Sequence, residues 1–245
     1  MLILLPPSES KNQHGRGRPL QLDQLSFPEL TQARDQALTA LSQVSLAASG
    51  REQLGAPVAA ADEVSRNAII RSLPTLPVAQ LYSGVLYDAL DLASMSGAAL
   101  RRARRWIVVT SALLGAVRLS DRIPPYRMSI GSDIGVGSLP RFWRPTLSQP
   151  LVAAAGRGLV VDCRSGSYRP MWRPTELAQR WVQIQVPGAS HFAKHTRGLL
   201  ARHLCLTGSE ATSVPALARE LGHSFDVQAH PPTSNQGWRL DVRAH

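Results

Sequence analysis

Three short segments of the sequence carry side chains that can move a proton or hold a phosphate. One follows an apolar run near the start of the chain, one follows another apolar run beyond its middle, and one lies in a late helical segment. Carboxylates, lysines and an arginine gathered in one cleft suit proton transfer on a phosphate-bearing substrate. We therefore take these seven as candidate catalytic residues: Ser8, Glu9, Lys11, Asp162, Tyr168, Lys194 and Arg197.

Each segment also has a simpler interpretation. The residues from Ser8 to Lys11 fit an exposed surface loop equally well. Lys194 and Arg197 share a face of one helix because they are three positions apart, but a shared face does not require a ligand. The pattern predicts a polar pocket for a nucleotide-like small ligand only if the segments converge.

A second set of candidates is basic and favours nucleic acid. Four arginines fall within five positions, and a loop stiffened by two prolines adds further cations and a tyrosine. A dense cationic ridge can neutralise several backbone phosphates. The candidate phosphate-binding residues from these segments are Arg101, Arg102, Arg104, Arg105, Arg118, Tyr126 and Arg127.

The charge balance points the same way. The chain has 27 basic and 17 acidic side chains, a formal net charge of +10, which favours polyanionic partners. Lys11 and Lys194 are the only lysines. A coding bias towards arginine explains this composition without a phosphate site, and a solvated basic surface explains the charge without a partner.

Metal and cofactor chemistry have weaker signals. His191 and His195 have the spacing of a helical metal pair, and Asp162 is a candidate third ligand, but two histidines that pack or contact phosphate account for the pattern, and we assign no metal. Cys163 and Cys205 form no metal-binding motif, and we expect them to be reduced and structural. No glycine-rich phosphate loop follows a strand, so we expect no dinucleotide cofactor.

The elements that must position these residues alternate between strands and helices. Apolar runs predict strands at 2–5, 158–162, 180–186, 225–229 and 238–242, and the run at 106–110 fits a strand or a helix. Helices are expected at 26–46, where Ser26 starts a capping box, and at 62–73, 97–105 and 190–206. A further helix is expected at 78–92, with a glycine interruption at Gly84 that suggests a bend or close packing. This alternation predicts an α/β fold with a mixed β-sheet flanked by helices.

Length and composition bound the class of protein. A chain of 245 residues with 44% hydrophobic and 18% charged residues is expected to fold as a single compact domain over residues 1–245. The opening apolar run ends at Pro6 and has no basic region before it, so it is too short for a signal peptide or a membrane span. We expect a cytoplasmic protein with no membrane partner.

Five ordered segments resemble the YaaA peroxide stress family. They are the opening Met-Leu-Ile-Leu-Leu-Pro-Pro-Ser-Glu, then Leu81 to Gly84, Ser111 to Gly131 with its Pro-Tyr-Arg core, Val161 to Tyr168, and Phe192 to Leu199. They span nearly the whole chain. The sequence departs from the family pattern at Ser10, Ala112 and Leu114.

This resemblance implies a cytoplasmic protein that responds to hydrogen peroxide, lowers available iron and binds double-stranded DNA. It also implies a helix-hairpin-helix-like element, whose tight glycine hairpin presents amide groups to a phosphate without reading bases. The match here is Ser111 to Arg118, which adds Gly115 to the candidate DNA-binding residues. Non-sequence-specific DNA binding is thus the first functional hypothesis. An enzyme acting on a nucleobase, nucleotide or damaged base is the second.

Overall fold

The computed structural model describes residues 1–188, 190–233 and 236–244. Its centre is a seven-stranded mixed sheet of order β4-β3-β1-β6-β7-β9-β8, and a separate two-stranded sheet joins β2 to β5. The strands are β1 Leu2–Leu5, β2 Leu76–Pro77, β3 Ile107–Ser111, β4 Gly115–Arg118, β5 Arg122–Ile123, β6 Val160–Asp162, β7 Trp181–Gln185, β8 Phe225–His230 and β9 Trp238–Ala244. The expected mixed sheet in a single α/β domain is confirmed.

The five central strands are parallel, and β4 and β8 are antiparallel additions at the two sides. Every residue of β1 is buried, as its unbroken apolar sequence predicts for a strand covered on both faces. Because these five strands run in the same direction, their carboxyl ends lie along one side of the sheet and their amino ends along the opposite side. We call these two sides the carboxyl edge and the amino edge.

The helices surround this sheet. They are α1 Thr31–Leu46, α2 Gly50–Gln53, α3 Ala61–Asn67, α4 Val78–Leu81, α5 Val85–Leu90, α6 Gly97–Trp106, α7 Leu139–Ala155, α8 Ser190–Thr207 and α9 Val214–Leu221. The segment 78–92 forms two short helices, α4 and α5, and the expected interruption lies at Gly84, whose φ of 92° does not continue a helix. No helix among the described residues is long and apolar enough to cross a membrane.

The start of the first long helix differs from the expected capping box. A 3₁₀ turn at Pro28–Leu30 precedes α1, and the side chain of Ser26 does not cap it. The Ser26 hydroxyl instead donates to the Asp121 carboxylate, with Oγ and Oδ1 2.7 Å apart. The Ser26 amide donates to the same carboxylate oxygen at 3.1 Å, so a charged acceptor 95 positions along the chain holds this residue.

The segment matched to a helix-hairpin-helix-like element, Ser111 to Arg118, has a different structure. Residues 107–118 form a β-hairpin, because Val109 pairs with Val117 and Thr110 with Ala116. The Ser111 hydroxyl accepts the amides of the two residues that precede Gly115, Leu113 and Leu114, and so closes the turn. This segment therefore presents no helix N-terminus to a phosphate.

A buried arginine holds the hairpin against α1. Arg34 is fully buried, and its guanidinium donates to the carbonyls of Leu114 at 3.1 Å, Ala116 at 2.7 Å and Ser26 at 2.8 Å. Burial lowers its pKa to about 10, which leaves it charged at physiological pH. This cation is a structural tie between elements.

Candidate functional site

A polar cleft lies at the carboxyl edge, above the ends of β1 and β6, with a volume of about 810 Å³. From β1 the chain goes on to form β3 on one side, whereas from β6 it goes on to form β7 on the other. Neighbouring strands with diverging connections leave a crevice at the sheet edge, the usual place for a ligand in an open α/β sheet. The size suits a small organic ligand.

The cleft brings together residues from distant parts of the sequence. Its walls come from the loop after β1, the start of α5, residues 128–130, the loop after β6, the end of β7 and the first turns of α8. Five of the seven candidate catalytic residues line it: Ser8, Glu9, Tyr168, Lys194 and Arg197.

Lys11 lies behind the wall of the cleft. Its Nζ donates to the carbonyl of Ser8 at 2.8 Å and to that of Glu9 at 3.3 Å. It also lies 4.3 Å from the ring centroid of Tyr126 and 5.7 Å from that of Tyr82. Burial, followed by the charge of Arg127, lowers the pKa of Lys11 to about 7. Lys11 therefore shapes the loop that carries two cleft residues.

Asp162 lies beneath the cleft and is committed to a neighbour. It is fully buried, and Arg164 forms a two-pronged pair with it at 2.8 Å and 2.7 Å. Burial acts to raise the pKa of Asp162, but the charge and hydrogen bonds of Arg164 outweigh burial and the pKa is lowered. Both carboxylate oxygens are thus engaged within the protein, so Asp162 is a structural anion.

Arg197 is the unusual residue of the cleft. Its side chain lines the cleft, the residue is 9% exposed, and its Nε has no hydrogen-bond partner among the described residues. Burial lowers the pKa of Arg197, and the charge of nearby Arg169 lowers it further. Arg169 also has a buried Nε without a described partner. Buried polar groups in folded proteins are normally hydrogen-bonded, so the unpartnered Nε of Arg197 at the wall of the cleft indicates a missing acceptor.

The candidate nucleic-acid residues are divided by the fold. Arg101, Arg104 and Arg105 are exposed on α6. Arg102 instead donates to the carbonyls of Cys205 and Leu206 at the end of α8, each at 2.7 Å.

The loop candidates are also largely committed to the protein. Gly115 and Tyr126 are buried, and Arg118 donates to the carbonyl of Arg105. Arg127 lies 3.5 Å from Glu9 and 3.8 Å from Glu63.

The exposed arginines have neighbours that sequence reasoning missed. Arg180 directly precedes β7 and Arg157 lies shortly before β6, which puts both at the amino edge together with Arg105. Burial and then the charges of Arg105 and Arg180 lower the pKa of the Met1 amino group, so these two arginines approach one point. An arginine at or just before the start of three predicted strands, at 105, 157 and 180, was the available signal. We call Arg101, Arg104, Arg105, Arg118, Arg157 and Arg180 the amino-edge surface. Arg118 and Arg180 are half-buried and also donate to backbone carbonyls, Arg118 to that of Arg105 and Arg180 to that of Gly158 at 2.8 Å, so they present only part of their guanidinium groups.

A metal site finds no support in the arrangement around α8. His191 and His195 are exposed on this helix, while the suggested third ligand, Asp162, is bound to Arg164. Over the part of the chain that the structure describes, no three His, Cys, Asp or Glu side chains form a group suited to a metal ion. Cys163 and Cys205 are buried and free.

The fold and the cleft define an α/β protein with a ligand-sized crevice at the switch point of a mainly parallel sheet and a basic surface at the opposite edge. The family model for peroxide stress protein YaaA matches residues 1–228. The chain belongs to this family, as its ordered motifs predict.

Curated relatives cover nearly the whole chain. UPF0246 protein SCO2297 of Streptomyces coelicolor is 44% identical over 100% of this chain and 99% of its own. UPF0246 protein CE1889 of Corynebacterium efficiens is 39% identical over 93% of this chain and 95% of its own. A more distant relative, the uncharacterized protein Cj0984 of Campylobacter jejuni, is 27% identical over 82% of each chain.

Proposed function

We propose that this protein binds double-stranded DNA without sequence specificity, as part of a peroxide stress response, and that the amino-edge surface contacts the phosphates. The observation that carries this proposal is a cluster of six arginines from four separate parts of the chain. In the described residues, no carboxylate oxygen lies within 4.0 Å of any of the six guanidinium groups, although seven other arginines form such ion pairs.

The chemistry of the surface suits the DNA backbone rather than base edges. Exposed guanidinium groups bind phosphate oxygens and release the counterions that surround DNA, which gives affinity without sequence information. The β-hairpin at 107–118 presents no helix that could enter a DNA groove. We therefore expect affinity that falls steeply with salt and changes little with base sequence.

The test is fluorescence anisotropy of a labelled duplex at two salt concentrations. The variant R101S/R104S/R105S is compared with R16S/R18S/R219S, which removes three other exposed arginines and lowers the formal net charge equally, from +10 to +7. Loss of three phosphate contacts is expected to weaken binding roughly tenfold or more at low salt and to flatten the salt slope by about three. Equal losses in the two variants would show non-localised attraction and contradict the proposal.

The cellular role has its own readout. A strain without the protein is expected to survive hydrogen peroxide less well and to hold more available iron, as the family resemblance implies. Rescue by the wild-type protein and not by R101S/R104S/R105S ties the phenotype to DNA binding. Full rescue by that variant would show that the phenotype does not depend on DNA binding by these arginines.

A second candidate function is favoured by the cleft. Glu9 is the carboxylate among its lining residues, and Tyr168, Lys194 and Arg197 lie in the same crevice. This set suits proton transfer on a nucleobase or nucleotide, with Glu9 as the proton acceptor. Chromatography of nucleotides and damaged nucleosides incubated with the protein tests for turnover, which E9Q should abolish. Absence of any product would count against an enzyme.

A further inference from the structure

Beneath the cleft, buried positive charge exceeds buried negative charge. Arg164 pairs with Asp162 at 2.7 Å, and the charges of Asp162 and Arg169 both act on the pKa of Arg197. Two buried guanidinium groups, those of Arg164 and Arg197, and the half-buried one of Arg169 are thus set against one buried carboxylate, so positive charge is in excess. Arg164 already occupies both oxygens of that carboxylate.

The neighbouring thiol does not correct this imbalance. Burial raises the pKa of Cys163 to about 12, so it is neutral at physiological pH. The carboxylate of Glu9, at the rim, lies 3.5 Å from Arg127. Arginine keeps its proton under these conditions, and a buried charge without a counter-ion is strongly unfavourable. An anion supplied from outside would remove this penalty.

We propose that the cleft is a binding site for an organic phosphate of nucleotide size, with the phosphate held by Arg197. The guanidinium fork matches phosphate oxygens, and its buried Nε faces no described acceptor. Lys194, three positions earlier on α8, adds a second cation at the opening, and the hydroxyls of Ser165 and Ser167 lie on the facing loop.

The remaining walls define the other half of the ligand. Leu86, Tyr87, Met128, Tyr168 and Val186 form an apolar and aromatic lining. Such a lining suits a flat heterocycle, which gains by contact with aromatic rings and by leaving water. A volume of about 810 Å³ accommodates both parts of the ligand. The site lies at the edge of the sheet opposite to the amino-edge surface, so it does not depend on the DNA proposal.

The experiment is isothermal titration calorimetry of the full chain with adenosine 5′-monophosphate, adenosine and inorganic phosphate. A short single-stranded oligonucleotide with and without a 5′-phosphate distinguishes a free nucleotide from the end of a nucleic acid. We expect the phosphate-bearing probes to bind and adenosine to bind much more weakly. R197M should weaken phosphate-bearing probes about tenfold to a hundredfold, R197K less, and R219M, which removes an exposed guanidinium from α9, not at all.

Thermal unfolding gives a second readout, in which R197M is expected to stabilise the ligand-free protein although it weakens ligand binding. Because R197M removes an uncompensated buried charge, we expect the ligand-free variant to have a higher Tm than the wild type, while losing the Tm increase that adenosine 5′-monophosphate gives the wild type. No binding of any phosphate-bearing probe to the wild type, or unchanged binding to R197M, would overturn the proposal. A lower Tm for ligand-free R197M would also count against it, by showing that the guanidinium is satisfied within the protein.

Discussion

Lys11 and Arg197 are both buried cations, and the difference between them is chemical. A lysine amine can release its proton when it is desolvated, and the environment of Lys11 lowers its pKa to about 7. An arginine keeps its charge, so Arg197 needs an anion where Lys11 does not. Lys11 therefore affects how stability depends on pH, whereas Arg197 affects ligand binding.

The lowered pKa of Lys11 predicts a pH-dependent contribution to stability. Above the folded pKa of about 7 and below the ordinary value of 10.5, the unfolded chain binds a proton that the folded protein does not. The free energy of unfolding should therefore rise with pH in this window, by up to about 1.4 kcal/mol per pH unit from this group alone. Below pH 7 both states are protonated and the contribution is constant.

Urea unfolding followed by tryptophan fluorescence between pH 6 and 9 measures this effect. The stability of the wild type relative to K11M should be constant up to about pH 7 and increase above it. K194M, which replaces the other, exposed lysine, should run parallel to the wild type. If K11M also runs parallel, Lys11 has an ordinary pKa.

At the scale of elements, packing explains why residues 107–118 form the hairpin of β3 and β4 and not a helix-hairpin-helix-like element. Gly115 has a φ of 72°, and a Cβ placed there would lie 2.8 Å from an atom of the Trp143 ring. The indole Nε1 of Trp143 in turn donates to the carbonyl of Ala112 at 2.7 Å. The close approach of α7 therefore accounts for the glycine without a phosphate contact.

The variant G115A tests this assignment. Backbone strain together with overpacking against Trp143 should lower the free energy of unfolding by about 2 to 4 kcal/mol. G135A is the matched control, because Gly135 has a φ of 79° with open space around it, and it should cost about 1 kcal/mol. DNA affinity of folded G115A is expected to equal that of the wild type. Weaker DNA binding without loss of stability would restore a role in DNA contact.

At the scale of the whole molecule, the parallel strands separate two cationic regions. The amino-edge surface and the cleft lie at opposite ends of β1, whose four residues span about 13 Å. R101S/R104S/R105S should therefore lose duplex binding and keep adenosine 5′-monophosphate, while R197M should do the reverse. Loss of both ligands in either variant would mean that the two regions act as one surface.

The strands, the charge and the exposed basic residues could be predicted from the sequence alone. The apolar runs of β1 and β6, the strong basic excess and the exposed arginines of α6 depend on composition and on short-range periodicity, which act before any tertiary contact forms. The α/β class followed from the alternation of such runs. The family motifs are likewise local patterns in a fixed order.

Only the tertiary structure decided which of these residues meet. Glu9, Tyr168 and Arg197 line one cleft, whereas Lys11 and Asp162 lie behind its wall and bind other parts of the protein. The Ser26 hydroxyl binds the Asp121 carboxylate and does not cap a helix. The pairing of β1 with β3 and β6, for example, joins segments a hundred or more positions apart. A side chain's partner, and therefore whether it is free to bind a ligand, is set by those long-range contacts.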